Sequence, residues 1–302
     1  MKKIPFSIYL LVVLQLTALT TPLFAADWIR RSADAFGERV RLTISDKHKI
    51  YYEALPTKDV LYEITGPATM HIITRVEISG ENGRGDYNYQ WQMDKDEWVQ
   101  VTHYAKPSEN ASLHGTSEIS VSRRDEIEVS EGTHYYRFNR PQSEQRRLFF
   151  RVTSKRHDPL KNADLTPLQP TIFGDIWQII VREINYDYYV ARSGEEIVMD
   201  VVGPTTIKVV SRLDYDAMMM GEKSYRIKVH EDEQLKNTYA VTARPSSVAY
   251  YENQKGHIPG RGSSFFVSVP AGRHSYRFEF VDGAQTSLMR FYIPHADLDQ
   301  RQ

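Results

Sequence analysis

Apolar positions in this chain recur mostly at every second residue. In Met70 to Glu77 the residues Met70, Ile72, Thr74 and Val76 share one face, and in Ile207 to Asp214 the matching set is Ile207, Val209, Ser211 and Leu213. Tyr89, Trp91 and Met93 form a further stripe, aligned with Tyr225, Ile227 and Val229. Successive side chains of an extended strand point to opposite faces, so a period of two predicts strands with one buried face. Turn signals such as GENGRGD, SEG, PAG and VDG separate the runs. Beyond the first residues no stretch sustains an apolar period of 3.6. The expected fold class is all-β: two tandem antiparallel β-sandwiches of immunoglobulin-like or early-set type.

The tandem arrangement follows from self-similarity. Phe36 to Glu77 aligns without a gap on Phe173 to Asp214, at a constant offset of 137 residues. Identical pairs include Phe36/Phe173, Tyr51/Tyr188, Tyr52/Tyr189, Gly66/Gly203, Pro67/Pro204, Thr69/Thr206 and Arg75/Arg212. The likeness returns as VSEGTHYYRF (Val129 to Phe138) against VPAGRHSYRF (Val269 to Phe278). Between these blocks each copy carries a Tyr-containing alternating run, an acidic patch and Ala-x-Pro-Ser. Aligning YQWQMDKDEW with YRIKVHEDEQ sets Ile227 opposite Trp91 and roughly Gln234 opposite Trp98.

The expected organisation is a signal peptide over 1–25, a first repeat over 26–157, a linker over 158–170 and a second repeat over 171–302. The leader shows Lys2 and Lys3, an apolar run from Ile8 to Leu19, and a small-residue exit at Ala25 and Ala26. The run is shorter than the roughly 20 residues a span requires, so no transmembrane anchor is expected after cleavage. The residues from Ala26 to Ala35 read as a short helix or a loose arm. Asp158 to Pro170 holds three prolines, which lack an amide donor and suit a linker.

Composition narrows the function classes. Removing Lys2 and Lys3 leaves 36 Lys and Arg against 39 Asp and Glu, so the exported chain lacks the basic footprint of a nucleic-acid binder. With no cysteine there is no thiolate metal site, no cysteine nucleophile and no lipidation site. HExxH, GxSxG, phosphate-cradling and dinucleotide motifs are all missing. No catalytic residue, metal or cofactor is therefore assigned. The reading is a periplasmic or secreted, non-enzymatic binding or scaffolding protein of a bacterial envelope, its partner an envelope protein or a polysaccharide. The alternatives are a carbohydrate-binding protein and a glycan-modifying enzyme.

Several residues are candidates. His134, Tyr136 and Phe138 share a strand face, as do His274, Tyr276 and Phe278. Each histidine is expected at the rim of a core, hydrogen-bonded to a loop. Gly66, Pro67, Gly203 and Pro204 complete this repeat signature, read as structural. Arg75 and Arg212 lie on the face opposite the apolar stripe of their strands; they are candidate contacts for a carboxylate or phosphate, otherwise lying across an outer sheet surface. Asp94, Asp96 and Glu97, with Glu231, Asp232 and Glu233, lack a calcium-loop pattern and read as solvated hairpin tips. Trp98, facing a polar counterpart, is the expected exposed contact.

Pro270 to Gly283, PAGRHSYRFEFVDG, resembles the hairpin that closes glycogen-binding modules, early-set sandwiches attached to some glucan-active enzymes and kinases. The resemblance covers this segment alone and implies an early-set fold. In that family a tryptophan that helps hold the glucan typically follows the turn, where this chain has Ala284 and Gln285.

Overall fold

A computed structural model describes residues 29–30, 37–79, 84–113, 117–283 and 285–298, and these are mostly antiparallel strand. The expected signal peptide, 1–25, lies outside the described residues. In the first half the strands are β1 (Ile29–Arg30), β2 (Glu38–Ile44), β3 (Lys47–Ala54), β4 (Val60–Ile78) and β5 (Gly85–Met93). They continue as β6 (Val99–Ala105), β7 (Pro107–Leu113), β8 (Ser117–Ser120), β9 (Arg123–Asn139) and β10 (Leu148–Arg156). They pair in the order β1-β10-β3-β2-β7-β8-β4-β9-β5-β6. The second half comprises β11 (Leu165–Leu168), β12 (Ile176–Val181), β13 (Ile184–Arg192), β14 (Glu196–Tyr215) and β15 (Lys223–Glu231). After these come β16 (Gln234–Ala243), β17 (Ala249–Tyr251), β18 (Ile258–Pro259), β19 (Ser263–Phe280) and β20 (Thr286–Pro294). Their order is β16-β15-β19-β14-β20-β13-β12-β17, with β11 on β20 and β18 on β14.

The all-β expectation holds, but the first half is not simply two open sheets. β4 pairs with β10 as well as with β8 and β9, which closes β10-β3-β2-β7-β8-β4 into a six-stranded ring. Inside it lie Val40, Leu42, Ile44, Tyr51, Leu113, Ile119 and Phe149. The opposite faces of β4 and β10 pack Met70, Ile72, Val76, Phe150 and Val152 against Tyr87, Tyr89 and Phe138 from β5 and β9. β4 and β10 are thus buried on both faces, and each side chain of this size contributes about 1.5–3 kcal/mol by burial. The second half repeats the path through β14, β20, β13 and β12, but β17 and β18 form no ladder with each other, so its ring stays open there.

Two segments expected to be irregular carry strands. Leu165–Leu168, inside the expected linker, is a strand on β20; Ile29–Arg30, expected as helix or loose arm, is the matching strand on β10. Strand edges supply pairing that proline content does not reveal: Pro167 sits at an edge, where a missing amide donor is tolerated.

The alignment of the acidic hairpins also shifts. Tyr87 hydroxyl meets Thr74 Oγ1 at 2.7 Å, and Tyr225 hydroxyl meets Ser211 Oγ at 2.7 Å. Trp91 faces Phe138, and Val229 faces Phe278. The counterpart of Tyr225 is therefore Tyr87, that of Trp91 is Val229, and that of Trp98 is Lys236. A slip of two residues preserves side-chain parity, so the alternating pattern could not reveal it.

The halves meet at Glu131, on the tip of β9. Its carboxylate accepts from Asn237 Nδ2 (3.1 Å), Tyr239 hydroxyl (2.9 Å), Ser268 N (2.9 Å) and Ser268 Oγ (2.7 Å). Thr133 Oγ1 accepts from Ala240 N at 2.9 Å, which occupies an amide on the β16 edge.

Candidate functional site

Each long β-hairpin has the same bent corner. Gly66 faces Gly132 across β4 and β9, and Gly203 faces Gly272 across β14 and β19; both ladders are irregular at the Gly-Pro step. The Gly66-Pro67 and Gly203-Pro204 peptides are cis. A Cβ at Gly66 would overlap the Ser130 carbonyl, and one at Gly203 the Pro270 carbonyl. Gly132 and Gly272 have φ of 102° and 110°, which favours glycine.

Next to the corner stand the repeated histidines. His134 Nδ1 donates to Asp94 Oδ2 (2.8 Å), and His274 Nδ1 to Asp232 Oδ2 (2.7 Å). The other oxygen of each aspartate accepts the backbone N–H of Tyr135 or Ser275. His274 Nε2 lies 3.3 Å from the Ala271 carbonyl. Both ring nitrogens then face acceptors, which favours the imidazolium, and the bond to Asp232 raises the His274 pKa above its ordinary value. Bonds from the Ser275 amide and His274 hold Asp232 below the usual carboxylate range. The acidic patches are therefore more than solvated tips: Asp94 and Asp232, at φ of 49° and 48°, open the turns and clamp the next strand. Tyr136 is buried and its hydroxyl is pushed up to about 12. Tyr276 donates to Glu231 at 2.6 Å, where Tyr136 meets the Met93 sulfur.

Arg75 and Arg212 do lie opposite the apolar stripe, but that face points into the ring rather than to an outer surface. Only 7% and 8% of each residue is exposed. Arg75 donates to the Ser120 carbonyl (2.6 Å) and Tyr51 hydroxyl (3.3 Å), Arg212 to the Gly260 carbonyl (2.7 Å) and Tyr188 hydroxyl (2.9 Å). Their bonds are spent inside the protein. Trp98 is 38% exposed on the β5–β6 turn, distant in sequence from the clefts that follow.

Two clefts offer binding chemistry that sequence reasoning did not single out. The first, of about 520 Å³, is lined by Glu38, Arg39, Arg41, Thr43, His48 and Arg147 among others. Arg39, Arg41 and Thr43 alternate on β2 opposite Tyr52, Ile50 and His48 on β3, so strand parity alone places them on one face. Arg147 is already held in a bidentate pair with Glu53 (2.8 and 2.6 Å), which raises its pKa. Arg39 and Arg41 make no ion pair among the described residues. The signal was there as Glu-Arg-Val-Arg followed by Lys-His-Lys, a hairpin with cations at alternate positions.

The second cleft, of about 340 Å³, lies on the second half and includes Gln169, Asn185, Tyr186, Asp187 and Arg290. Arg290 lies 4.2 Å from the Tyr186 ring and 4.9 Å from that of Tyr292. A flat ring edged by amides and a carboxylate offers stacking together with orienting hydrogen bonds.

Each half also holds one carboxylate–histidine–tyrosine cluster, at different places. Asp125 Oδ2 accepts from Tyr89 hydroxyl and His103 Nε2, both at 2.7 Å. Asp214 accepts from Tyr251 hydroxyl (2.8 Å) and His257 Nδ1 (2.7 Å). Burial drives the hydroxyls of Tyr89 and Tyr251 well above their ordinary range, which keeps them as neutral donors. No serine or threonine oxygen is hydrogen-bonded to either histidine among the described residues, and those residues form no His/Asp/Glu group that fits a metal ion. None of their helices is long and apolar enough to cross a membrane.

No family model matches the chain, and no curated protein matches it. Solved structures similar to it include a Clostridium perfringens M60 catalytic domain with two family 51 carbohydrate-binding modules, at 8% identity and a TM-score of 0.26, covering 89% of this chain and 38% of that one. Another is the tandem family 22 carbohydrate-binding modules of a Paenibacillus barcinonensis protein, at 8% identity and 0.24, covering 89% and 98%. A third is the tandem family 51 modules of a Streptococcus pneumoniae family 98 glycoside hydrolase, at 10% identity and 0.24, covering 89% and 97%. The chain thus spans less than two thirds of the first of these. Likeness at this level carries no argument about what the chain binds.

Proposed function

We propose that the protein is an exported, non-enzymatic binding module of a bacterial cell envelope, and that the Arg39–Arg41–His48 cleft takes an acidic polysaccharide. One observation carries this reading: Arg39 and Arg41 alternate on one face of β2 in an open cleft, and neither makes an ion pair among the described residues. Arginine presents a planar fork that grips a carboxylate through two parallel hydrogen bonds. Export rests on the leader pattern at residues 1–25, and the non-enzymatic reading on the missing cysteine and catalytic motifs.

Affinity electrophoresis on acidic and neutral polysaccharides tests the reading. Retardation by acidic polymers is expected, with each of Arg39→Ala and Arg41→Ala weakening it about tenfold and salt weakening it further. Unaltered mobility on every acidic polymer contradicts the assignment, and turnover of the polymer contradicts the non-enzymatic reading. A second reading, a neutral saccharide stacked on Tyr186 beside Arg290, is favoured by the ring and amides of the second cleft. Retardation by neutral polymers alone, lost in Tyr186→Ala, would select it.

A further inference from the structure

Strand β20 changes partner at Arg290. Its ladder with β13 stops where Tyr189 stands opposite Met289, and its ladder with β11 starts where Leu168 stands opposite Phe291. The second cleft, of about 340 Å³, lies at this step, and half-buried Arg290 lines it. The guanidinium carbon is 4.2, 5.4 and 4.9 Å from the ring centroids of Tyr186, Tyr188 and Tyr292. Ring faces hold a guanidinium by its flat sides and leave its in-plane N–H donors unspent. Arg290 makes no ion pair and no side-chain hydrogen bond among the described residues. Burial raises the Tyr292 pKa, so that ring stays a neutral phenol and does not cancel the charge. The charged neighbours are engaged elsewhere: Lys208, opposite Tyr292, pairs with Asp158 at 3.2 Å, and Asp187 accepts from Gln178 Nε2 at 3.2 Å. In the first half Arg151 occupies the same place, opposite Ile73 as Arg290 is opposite Val210. There Lys49 and Thr153 stand where the second half has Tyr186 and Tyr292. The arginine is common to both halves; those two rings belong to the second alone.

We propose that this cleft is a second, separate binding site, in which Arg290 takes the carboxylate of an acidic sugar and the amides of Asn185 and Gln169 meet its hydroxyls. A guanidinium fixed by rings has already lost most of its rotamer freedom, so little is left to lose when a ligand binds. Its planar fork matches a planar carboxylate through two parallel hydrogen bonds. Asp187 lines the same cleft and is exposed, so a doubly charged or densely charged anion meets repulsion there, whereas a single carboxylate matches the single fork. Asn185 and Gln169 each offer a donor and an acceptor, which suits sugar hydroxyls. The site is independent of the Arg39–Arg41–His48 cleft, and it differs from a neutral saccharide on Tyr186 in requiring a charge.

The test is titration of sodium glucuronate into the exported chain, residues 26–302, carrying Arg39→Ala/Arg41→Ala, read by saturation-transfer NMR of the ligand. That background removes the first cleft, so the two sites stand or fall separately. The expected result is saturable binding that weakens with added salt and about tenfold or more on adding Arg290→Gln. Glucose, which lacks the carboxylate, and acetate, which lacks the sugar, should each bind at least about tenfold more weakly. Circular dichroism melts show whether Arg290→Gln folds. If it does not, Asn185→Asp replaces it: at an exposed position it adds a second carboxylate to the cleft, and the same loss is expected. No binding of glucuronate in the Arg39→Ala/Arg41→Ala background overturns the proposal. So does binding indifferent to Arg290→Gln, or to Asn185→Asp where that variant is used, and so does equal affinity for glucose or for acetate.

Discussion

At the scale of single residues, the duplication marks structure more than chemistry. Arg75 and Arg212 keep the same kinds of partner, a tyrosine hydroxyl and a backbone carbonyl, in both halves. Arg212→Met should destabilise the second half by about 2–3 kcal/mol, since a buried carbonyl and phenol lose a charged donor. Urea unfolding measures it, and a change within a few tenths of a kcal/mol would contradict the buried role. The His274–Asp232 pair gives a pH signature. The raised histidine pKa contributes stability fully present below about 6.5 and lost as pH rises through the folded value. The lowered aspartate contributes stability present above about 3.9 and lost as pH falls through its folded value. The destabilisation caused by His274→Asn should therefore be greatest between about pH 4 and 6.5 and shrink above that window, read as the difference in melting temperature. A difference independent of pH would contradict the pairing.

At the scale of elements, the two long hairpins share a tightly packed Gly-Pro corner. Gly203→Ala puts a methyl group into the Pro270 carbonyl, and a loss of about 3 kcal/mol or more is expected in calorimetry. An unchanged melt would mean that the corner can relax. Much at this scale was legible in the sequence. Period-two stripes placed most strands, and the constant offset paired Gly66 with Gly203 and Tyr51 with Tyr188. Three features were not legible, each for a physical reason. Ring closure depends on β4 pairing with β10, a contact far apart in sequence, and it turned an apparently outward arginine face inward. The two-residue slip at the acidic hairpins preserved alternation, so Tyr87 and Tyr225 were recognisable as partners only through their hydroxyl bonds to Thr74 and Ser211. The cationic cleft is built by cross-strand neighbours, and a motif search along the chain does not see across a hairpin.

At the scale of the whole molecule, one carboxylate organises the junction. Glu131→Ala leaves Asn237, Ser268 N–H and Ser268 Oγ without their acceptor, and should weaken coupling between the halves by about 2–4 kcal/mol. Calorimetry should then resolve two transitions where the parent shows one; identical traces would contradict the coupling. The junction ties the half that carries the β2–β3 cleft to the half that carries the tyrosine cleft through these hydrogen bonds. The most direct measurement is isothermal titration of an acidic oligosaccharide into the exported chain and into its Arg39→Ala/Arg41→Ala double variant. The account predicts saturable, salt-sensitive binding to the parent and about a hundredfold loss in the variant. Equal affinity in both, or no heat with either, would contradict it.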